Sequence, residues 1–168
     1  MKTRLFLKSV ALMSVMLMLT GAFAGAANVK KEYKLQVNVG PTFYWGMGAQ
    51  KFADLVNEKT NGQIIVKPYF GSTLLKGAQL NAFQMVAQGV IDVAFESTIN
   101  SATVLPQKNI FSLPFFINSF ENLDKLEAGE TGKAIFAAME EKGVMPLAWG
   151  ENGFRQITNS KKEIKTPE

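Results

Sequence analysis

The sequence predicts an α/β fold in which a mostly parallel sheet is flanked by helices. Segments with the pattern of strands alternate with segments of helical pattern, in the order β-α-β-α-β, before one further helix and one further strand. This alternation is typical of parallel sheets, because the helices serve as crossover connections between strands. The chain contains no cysteine, so the fold must depend on a packed core and not on disulfide bonds.

The first β-α-β unit is predicted from residue spacing. Residues 34–39 alternate polar and apolar side chains, which is typical of a strand. Apolar residues at helical spacing predict a helix over 45–59. The apolar segment 63–70 predicts the second strand.

The next helix and strand are predicted by the same reasoning. Residues 76–88 have helical spacing and end before Gly89, a residue suited to ending a helix. Residues 90–95 are almost continuously apolar, which is typical of a strand covered on both faces. We therefore expect 90–95 to be a central strand of the sheet.

The last part of the chain predicts one helical region between two apolar segments. Residues 111–116 form an apolar loop or a short strand broken by proline. A helix is predicted over 119–142, with an interruption near Gly129 and Gly132. Residues 144–150 predict a final strand.

The first 26 residues have the plan of a secretory signal peptide, which predicts a periplasmic protein. Three basic residues precede an apolar run over 10–19, and small residues follow at positions that allow cleavage after Ala24 or Ala26. The alternative is a transmembrane anchor, but the run is shorter than the roughly 20 residues that cross a bilayer. We therefore expect a mature protein that does not span the membrane.

Charge and composition exclude several classes of function. The net charge is +4, but three of the 18 basic residues and none of the 14 acidic ones lie in residues 1–26. The remainder carries 15 basic against 14 acidic residues, which gives no basic surface for nucleic acid. Because histidine and cysteine are both absent, triads of the Ser-His-Asp and Cys-His types and ordinary zinc sites are excluded. We expect neither an enzyme nor a cofactor.

Ligands of open parallel sheets gather at the carboxyl ends of the strands. That rule places residues 41–45, 96–98 and 149–155 near one crevice. We expect the ligand-binding residues in these three segments: Phe43, Trp45, Glu96, Ser97, Trp149, Asn152, Phe154 and Arg155.

Five segments in order resemble the DctP-type solute-binding proteins of TRAP (tripartite ATP-independent periplasmic) transporters. The triplet Gly153-Phe154-Arg155, followed by Thr158-Asn159-Ser160, is similar to the strand by which this family crosses between its two lobes. The other four segments are 53–62, 70–75, 88–93 and 111–115. The resemblance covers residues 33–168 and implies a periplasmic binding protein-like lobe.

The resemblance also implies a domain layout and a second arginine. Residues 1–26 would be the signal peptide, 27–150 the first lobe, and 151–168 the crossing segment with the start of a second lobe that is largely missing. Family members run to roughly twice this length and use a further arginine, beyond Glu168, to clamp the ligand carboxylate. We therefore expect this chain alone to bind ligand weakly or not at all.

Arg155 is the first candidate for a ligand contact, because a guanidinium presents paired donors to a carboxylate. The alternative is a salt bridge with an acid on its own lobe. Asn152 could donate to a ligand oxygen. On a strand, Trp149 and Phe154 would face opposite sides, so one of them should belong to the core.

The other candidates also have structural alternatives. Phe43 and Trp45 flank a third aromatic residue, and three consecutive rings cannot all face the crevice, so at least one should pack in the core. Glu96 could hold an amine or hydroxyl group of a ligand, or could simply complement a helix N-terminus. Ser97 could contact ligand or cap that helix.

These expectations combine into one function with two alternatives. The resemblance implies a protein that captures a small organic acid between its lobes and delivers it to the membrane permease subunits of a TRAP transporter. The alternatives are a solute-binding protein of another transport system and a periplasmic sensor or interaction module.

Overall fold

The computed structural model of the chain describes residues 32–156, 158–161 and 163–165. The predicted signal peptide lies outside these residues. The chain divides between Glu96 and Ser97 into two compact units, called here the first unit and the second unit.

The first unit is an α/β layer built on a parallel sheet, as the sequence predicts. Its strands are β1 (Glu32–Val37), β2 (Ile65–Tyr69) and β3 (Val93–Phe95), in the order β2-β1-β3. Both pairings are parallel. Helix α1 (Tyr44–Lys59) connects β1 to β2, and α2 (Ala82–Ala87) precedes β3.

Side chains cover both faces of this sheet. Leu35 and Val37 of β1 are buried in a cluster with Ala49 and Ala53 of α1. A second cluster joins Leu75, Ala82 and Ile91, with Ala94 of β3 packed against it, whereas Val93 and Phe95 pack against the first cluster. Successive residues of a strand point to opposite faces, so the two clusters lie on opposite faces of the sheet.

The prediction that residues 90–95 form the central strand is wrong for the described sheet, in which β1 is central and β3 lies at an edge. Because Gln36 is polar, the sequence of β1 suggests a less buried strand than 90–95. The side chain of Gln36 is nevertheless fully buried. Its amide donates to the carbonyl of Val37 at 2.9 Å and accepts from the amide of Leu74 at 3.0 Å. A polar side chain can be buried at low cost when its hydrogen bonds are satisfied in this way.

The second predicted helix is shorter than its apolar spacing suggests. A 3-10 turn over Gln79–Asn81 leads into α2 at Ala82. Lys76 and Gly77 both have positive φ, at 49° and 83°, and this left-handed backbone is incompatible with a helix.

Over its described residues, the second unit contains three α-helices and a long irregular segment. Its helices are α3 (Thr98–Ser101), α4 (Phe120–Ala128) and α5 (Glu130–Glu140), and a 3-10 helix spans Pro106–Ser112. The interruption predicted near Gly129 and Gly132 is confirmed at Gly129, whose extended backbone separates α4 from α5, whereas Gly132 lies within α5. The hydroxyl of Ser119 caps α4 by accepting from the amide of Asn122 at 3.1 Å.

The last predicted strand is absent from the described residues, because 144–156 have no regular secondary structure. A strand requires a hydrogen-bonded neighbour, and no described strand pairs with this segment. The apolar residues that predicted the strand have separate roles. Val144 is buried just after α5, and the ring of Trp149 stacks on Phe136.

Candidate functional site

The residues predicted to bind ligand fall in both units. Phe43, Trp45 and Glu96 belong to the first unit, whereas the remaining five belong to the second. Four of those five line a single cleft of the second unit: Ser97, Asn152, Phe154 and Arg155.

This cleft has a volume of about 740 Å³. Its walls come from the start of α3, the apolar loop 111–118, one face of α4 and the segment 150–155. We call it the second-unit cleft. Apolar walls interspersed with a few polar groups are typical of sites for small molecules.

The segment 150–155 reaches the cleft without forming a strand. Gly153 has a φ of +77°, a left-handed conformation that suits glycine and turns the chain between Asn152 and Phe154. The ring of Phe154 packs on that of Phe120, with the centroids 5.0 Å apart. This packing fixes the segment against α4, next to Arg155.

Trp149 does not line the cleft. Its ring lies 4.7 Å from that of Phe136 in a stacked arrangement and 5.1 Å from that of Phe111 in a tilted one. Trp149 thus packs on α5 and the 3-10 helix, whereas Phe154 faces the cleft. Trp149 and Phe154 thus contact different parts of the second unit. They do so although 149–154 is not the strand on which we expected them to face opposite sides.

Arg155 is the cation of the cleft best suited to hold an anion. It is the only arginine after Arg4, its side chain is exposed, and it lines the cleft together with the amide side chains of Asn118 and Asn152. A guanidinium presents two parallel N–H donors to the carboxylate of a ligand, and amide side chains can donate to the other oxygen atoms of that ligand. This arrangement can bind an organic acid.

Two carboxylates, which the sequence did not single out, also line the cleft. They are Glu127 on α4 and Glu151 in the segment 150–155. Partial burial raises the pKa of Glu127, and the neighbouring carboxylates of Asp124 and Glu151 raise this pKa further. Each effect disfavours the charged form of Glu127.

The sequence carried a signal for Glu127. Phe120, Leu123 and Glu127 occupy positions i, i+3 and i+7 of one helix, so an acidic residue lies in line with two apolar ones. All three residues line the cleft. An acid on the apolar stripe of a helix is thus the feature that could have identified this wall.

Substituting Glu151 with glutamine should lower the pKa of Glu127, because it removes one carboxylate that disfavours ionisation. Carboxyl ¹³C NMR over a pH titration measures this directly. In the wild type, the titration midpoint of Glu127 should lie above the ordinary value of 4.5. An unchanged midpoint in the Glu151→Gln variant would show that the two carboxylates do not interact.

The candidates of the first unit gather where β3 ends and α1 begins. Phe43 precedes α1 and is 41% exposed, whereas Trp45 is half-buried with its ring 6.0 Å from that of Phe95. Glu96 directly follows β3 and is half-buried. Phe43 thus provides an open aromatic surface, and Trp45 joins α1 to the carboxyl end of β3.

Ser97 precedes the short helix α3 and lines the second-unit cleft. Its side chain makes no capping hydrogen bond to that helix. Nearby, a buried lysine holds α3 in place, since the ammonium of Lys108 donates to the hydroxyl of Ser101 at 2.8 Å. Both of these side chains are buried.

Two classes of feature are not found in the described part of the chain. Across 32–156, 158–161 and 163–165 there is no cluster of three or more acidic residues arranged to hold a metal ion. No helix in these ranges has the length and apolar character needed to cross a membrane.

Comparison with known proteins identifies the family. The family model for DctP, described as bacterial extracellular solute-binding protein, family 7, matches residues 36–168. The 2,3-diketo-L-gulonate-binding periplasmic protein YiaO of Escherichia coli is 31% identical over 146 residues, which are 87% of this chain and 44% of that protein. The C4-dicarboxylate-binding periplasmic protein DctP of Rhodobacter capsulatus is 34% identical over 70% of this chain and 35% of its own length.

Solved structures agree with this assignment. A TRAP periplasmic solute-binding protein from Ralstonia eutropha H16, with bound (S)-2-acetolactate, is 51% identical with a TM-score of 0.77. The sugar acid binding protein DctPAm from Advenella mimigardefordensis, in complex with galactonate, is 28% identical with a TM-score of 0.73. Each alignment covers 80% of this chain and 43% of the other, so the chain spans less than half the length of these relatives. The chain belongs to the DctP family of bacterial extracellular solute-binding proteins.

Proposed function

We propose that this chain forms part of an extracytoplasmic protein that captures a small organic acid for a TRAP-type secondary transporter. The observation that carries the proposal is the position of Arg155 on the wall of the second-unit cleft, beside the amide side chains of Asn118 and Asn152. A guanidinium flanked by neutral donors provides the charge-assisted hydrogen bonds that a carboxylate requires. Arg155 would hold the acid group of the ligand, and Asn152 and Ser97 would contact the other oxygen atoms of the ligand.

The relatives support the organic acid as the ligand class. The protein from Ralstonia eutropha H16 was solved with (S)-2-acetolactate and that from Advenella mimigardefordensis with galactonate. A further TRAP solute-binding protein, from Sulfitobacter, is 30% identical over 68% of this chain and holds β-D-galacturonate. All three ligands carry one carboxylate and at least two other oxygen atoms.

The proposed protein acts outside the cytoplasm and passes its ligand to permease subunits in the membrane. The signal peptide over 1–26, cleaved after Ala24 or Ala26, would export it. Residues 27–150 would form the first lobe and 151–168 the crossing segment. Phe43, Trp45 and Glu96 follow β1 and β3, where ligands of parallel sheets bind, and would provide further ligand contacts.

Titration of the ¹⁵N-labelled protein with 4-hydroxybutyrate, succinate and galactonate tests acid binding. Amides of segment 150–155 and the Nε–Hε group of Arg155 should shift with dissociation constants on the order of millimolar, as expected from a few charge-assisted contacts in an open cleft. The neutral amide of each acid serves as the matched control and should leave these signals in place. Equal shifts from an acid and its amide would contradict the proposal.

A further inference from the structure

The charges that line the second-unit cleft are unusual for a site that receives an anion. One guanidinium, Arg155, faces the cleft together with two carboxylates, Glu127 and Glu151. A carboxylate bound to Arg155 therefore shares the cleft with two acidic groups of the protein. Any second negative charge on the ligand would meet these like charges in a cleft where Glu127 is partly buried, and like charges repel more strongly where water is partly excluded.

Neighbouring lysines are engaged with other acids. On α4, the ammonium of Lys125 lies 2.7 Å from the carboxylate of Glu121. On α5, the ammonium of Lys133 lies 2.9 Å from that of Glu130. All four of these side chains are largely exposed, and none of them lines the cleft.

Two acidic residues act on the pKa of Glu127. Asp124 lies one turn earlier on the same helix, and Glu151 belongs to the segment packed against it. The pKa of Glu127 is raised first by desolvation and then by these two carboxylates, so this part of the cleft disfavours a further negative charge.

The two carboxylates can also accept hydrogen bonds from a ligand that carries hydroxyl groups. An ionised carboxylate is a hydrogen-bond acceptor with two oxygens, and it binds hydroxyl groups through short, charge-assisted hydrogen bonds. A ligand with one carboxylate and one or more hydroxyl groups could give its acid group to Arg155 and its hydroxyl groups to Glu127 and Glu151. A dicarboxylate could satisfy only the first of these contacts.

We infer that Glu127, assisted by Glu151, makes the second-unit cleft selective for hydroxylated monocarboxylates and against dicarboxylates. This inference rests on the proposed function, because it assigns a finer ligand class to the same site. Glu127 acts here as a specificity-determining residue. It contributes an acceptor for ligand hydroxyl groups and repels a second ligand carboxylate.

The test compares two ligands of equal chain length, 4-hydroxybutyrate and succinate, which differ in having a hydroxyl group or a second carboxylate at one end. At pH 7, NMR titration of the wild type should give a dissociation constant for succinate about tenfold or more above that for 4-hydroxybutyrate, as expected for a like charge placed in the site. The Glu127→Gln variant removes the charge with little change of shape. It should reduce this ratio to about threefold or less, mainly by improving the binding of succinate.

Glu130→Gln is the matched control, because it makes the same chemical change on an exposed side chain outside the cleft. It should keep the wild-type ratio. If Glu127→Gln does not fold, Glu151→Gln provides the second variant, and the ratio measured for the wild type already tests the main expectation.

The outcomes separate this inference from the proposed function. If acids bind but succinate binds as well as 4-hydroxybutyrate, or better, the inference is wrong and the proposed function stands. If Glu127→Gln and Glu130→Gln change the ratio equally, Glu127 has no specific role in selectivity and the inference is overturned. If no acid binds, the inference and the proposed function both fail.

Discussion

Replacing Gly46 with alanine is expected to lower the free energy of unfolding of the first unit by about 1–3 kcal/mol, the usual range for forcing an extra group into a packed site. Gly46 is buried in the first turn of α1. A Cβ atom there would overlap the carbonyl of Gly40 and lie 2.8 Å from the Cα of Pro41. These are backbone atoms, so relief of the overlap requires the loop between β1 and α1 to move.

Gly48 offers a matched control on the same helix. A Cβ atom at this position would have no atom within 4 Å, so Gly48→Ala adds a methyl group without a clash. Alanine is favoured over glycine inside a helix by roughly 0.5–1 kcal/mol, and this variant should therefore be slightly stabilised. The two substitutions are chemically identical, so a difference in sign isolates the contact with Gly40.

Urea unfolding followed by tryptophan fluorescence measures both effects. The chain contains two tryptophans, Trp45 in the first unit and Trp149 in the second. A Trp149→Phe background leaves Trp45 as the reporter of the first unit. Equal stability of the Gly46→Ala and Gly48→Ala variants would contradict the close approach of the loop to the helix.

Much of the first unit could be predicted from the sequence because its elements are periodic. Helix α1 begins within one residue of its predicted start and ends at Lys59 as predicted. The position of a strand within the sheet was harder to predict. Apolar continuity in residues 90–95 suggested a central strand, whereas β1, with buried Gln36, occupies the centre. Residue type alone does not reveal that a polar side chain is buried with its hydrogen bonds satisfied.

The second unit was less predictable, because irregular backbone determines its cleft. The candidate residues from Asn152 to Arg155 do meet Ser97 in one cleft, but they do so on a segment without the predicted strand. Asn152, Phe154 and Arg155 could be predicted together because they are close to one another in the sequence. Glu127 comes from a helix some 25 residues earlier, and only the packing of α4 against the segment brings it into the cleft.

Arg155→Ala is expected to produce the largest change in ligand binding of any single substitution. Charge-assisted hydrogen bonds contribute roughly 1.5–3 kcal/mol each, so the loss of even one of the two bonds of the guanidinium should weaken the binding of 4-hydroxybutyrate by about tenfold to a hundredfold. Repulsion should add to this loss, because Glu127 and Glu151 would remain in the cleft without the cation. The affinity for the neutral amide of the ligand should not change.

Lys142→Ala controls for the loss of net charge, since Lys142 is exposed just after α5 and does not line the cleft. It should leave the affinity for 4-hydroxybutyrate within about twofold of the wild type, because an exposed charge outside the cleft is largely screened. Similar losses in the Arg155→Ala and Lys142→Ala variants would show that the acid responds to overall charge and not to a site.

Arg155→Lys separates geometry from charge. Lysine keeps the positive charge but presents a single ammonium on a flexible chain, whereas arginine presents a planar pair of donors. If the carboxylate is held bidentately, Arg155→Lys should lose much of the affinity that Arg155→Ala loses. If lysine restores wild-type affinity, the site requires a cation but not a fork of donors. Specificity would then rest on Glu127 and the amides of the cleft more than on Arg155.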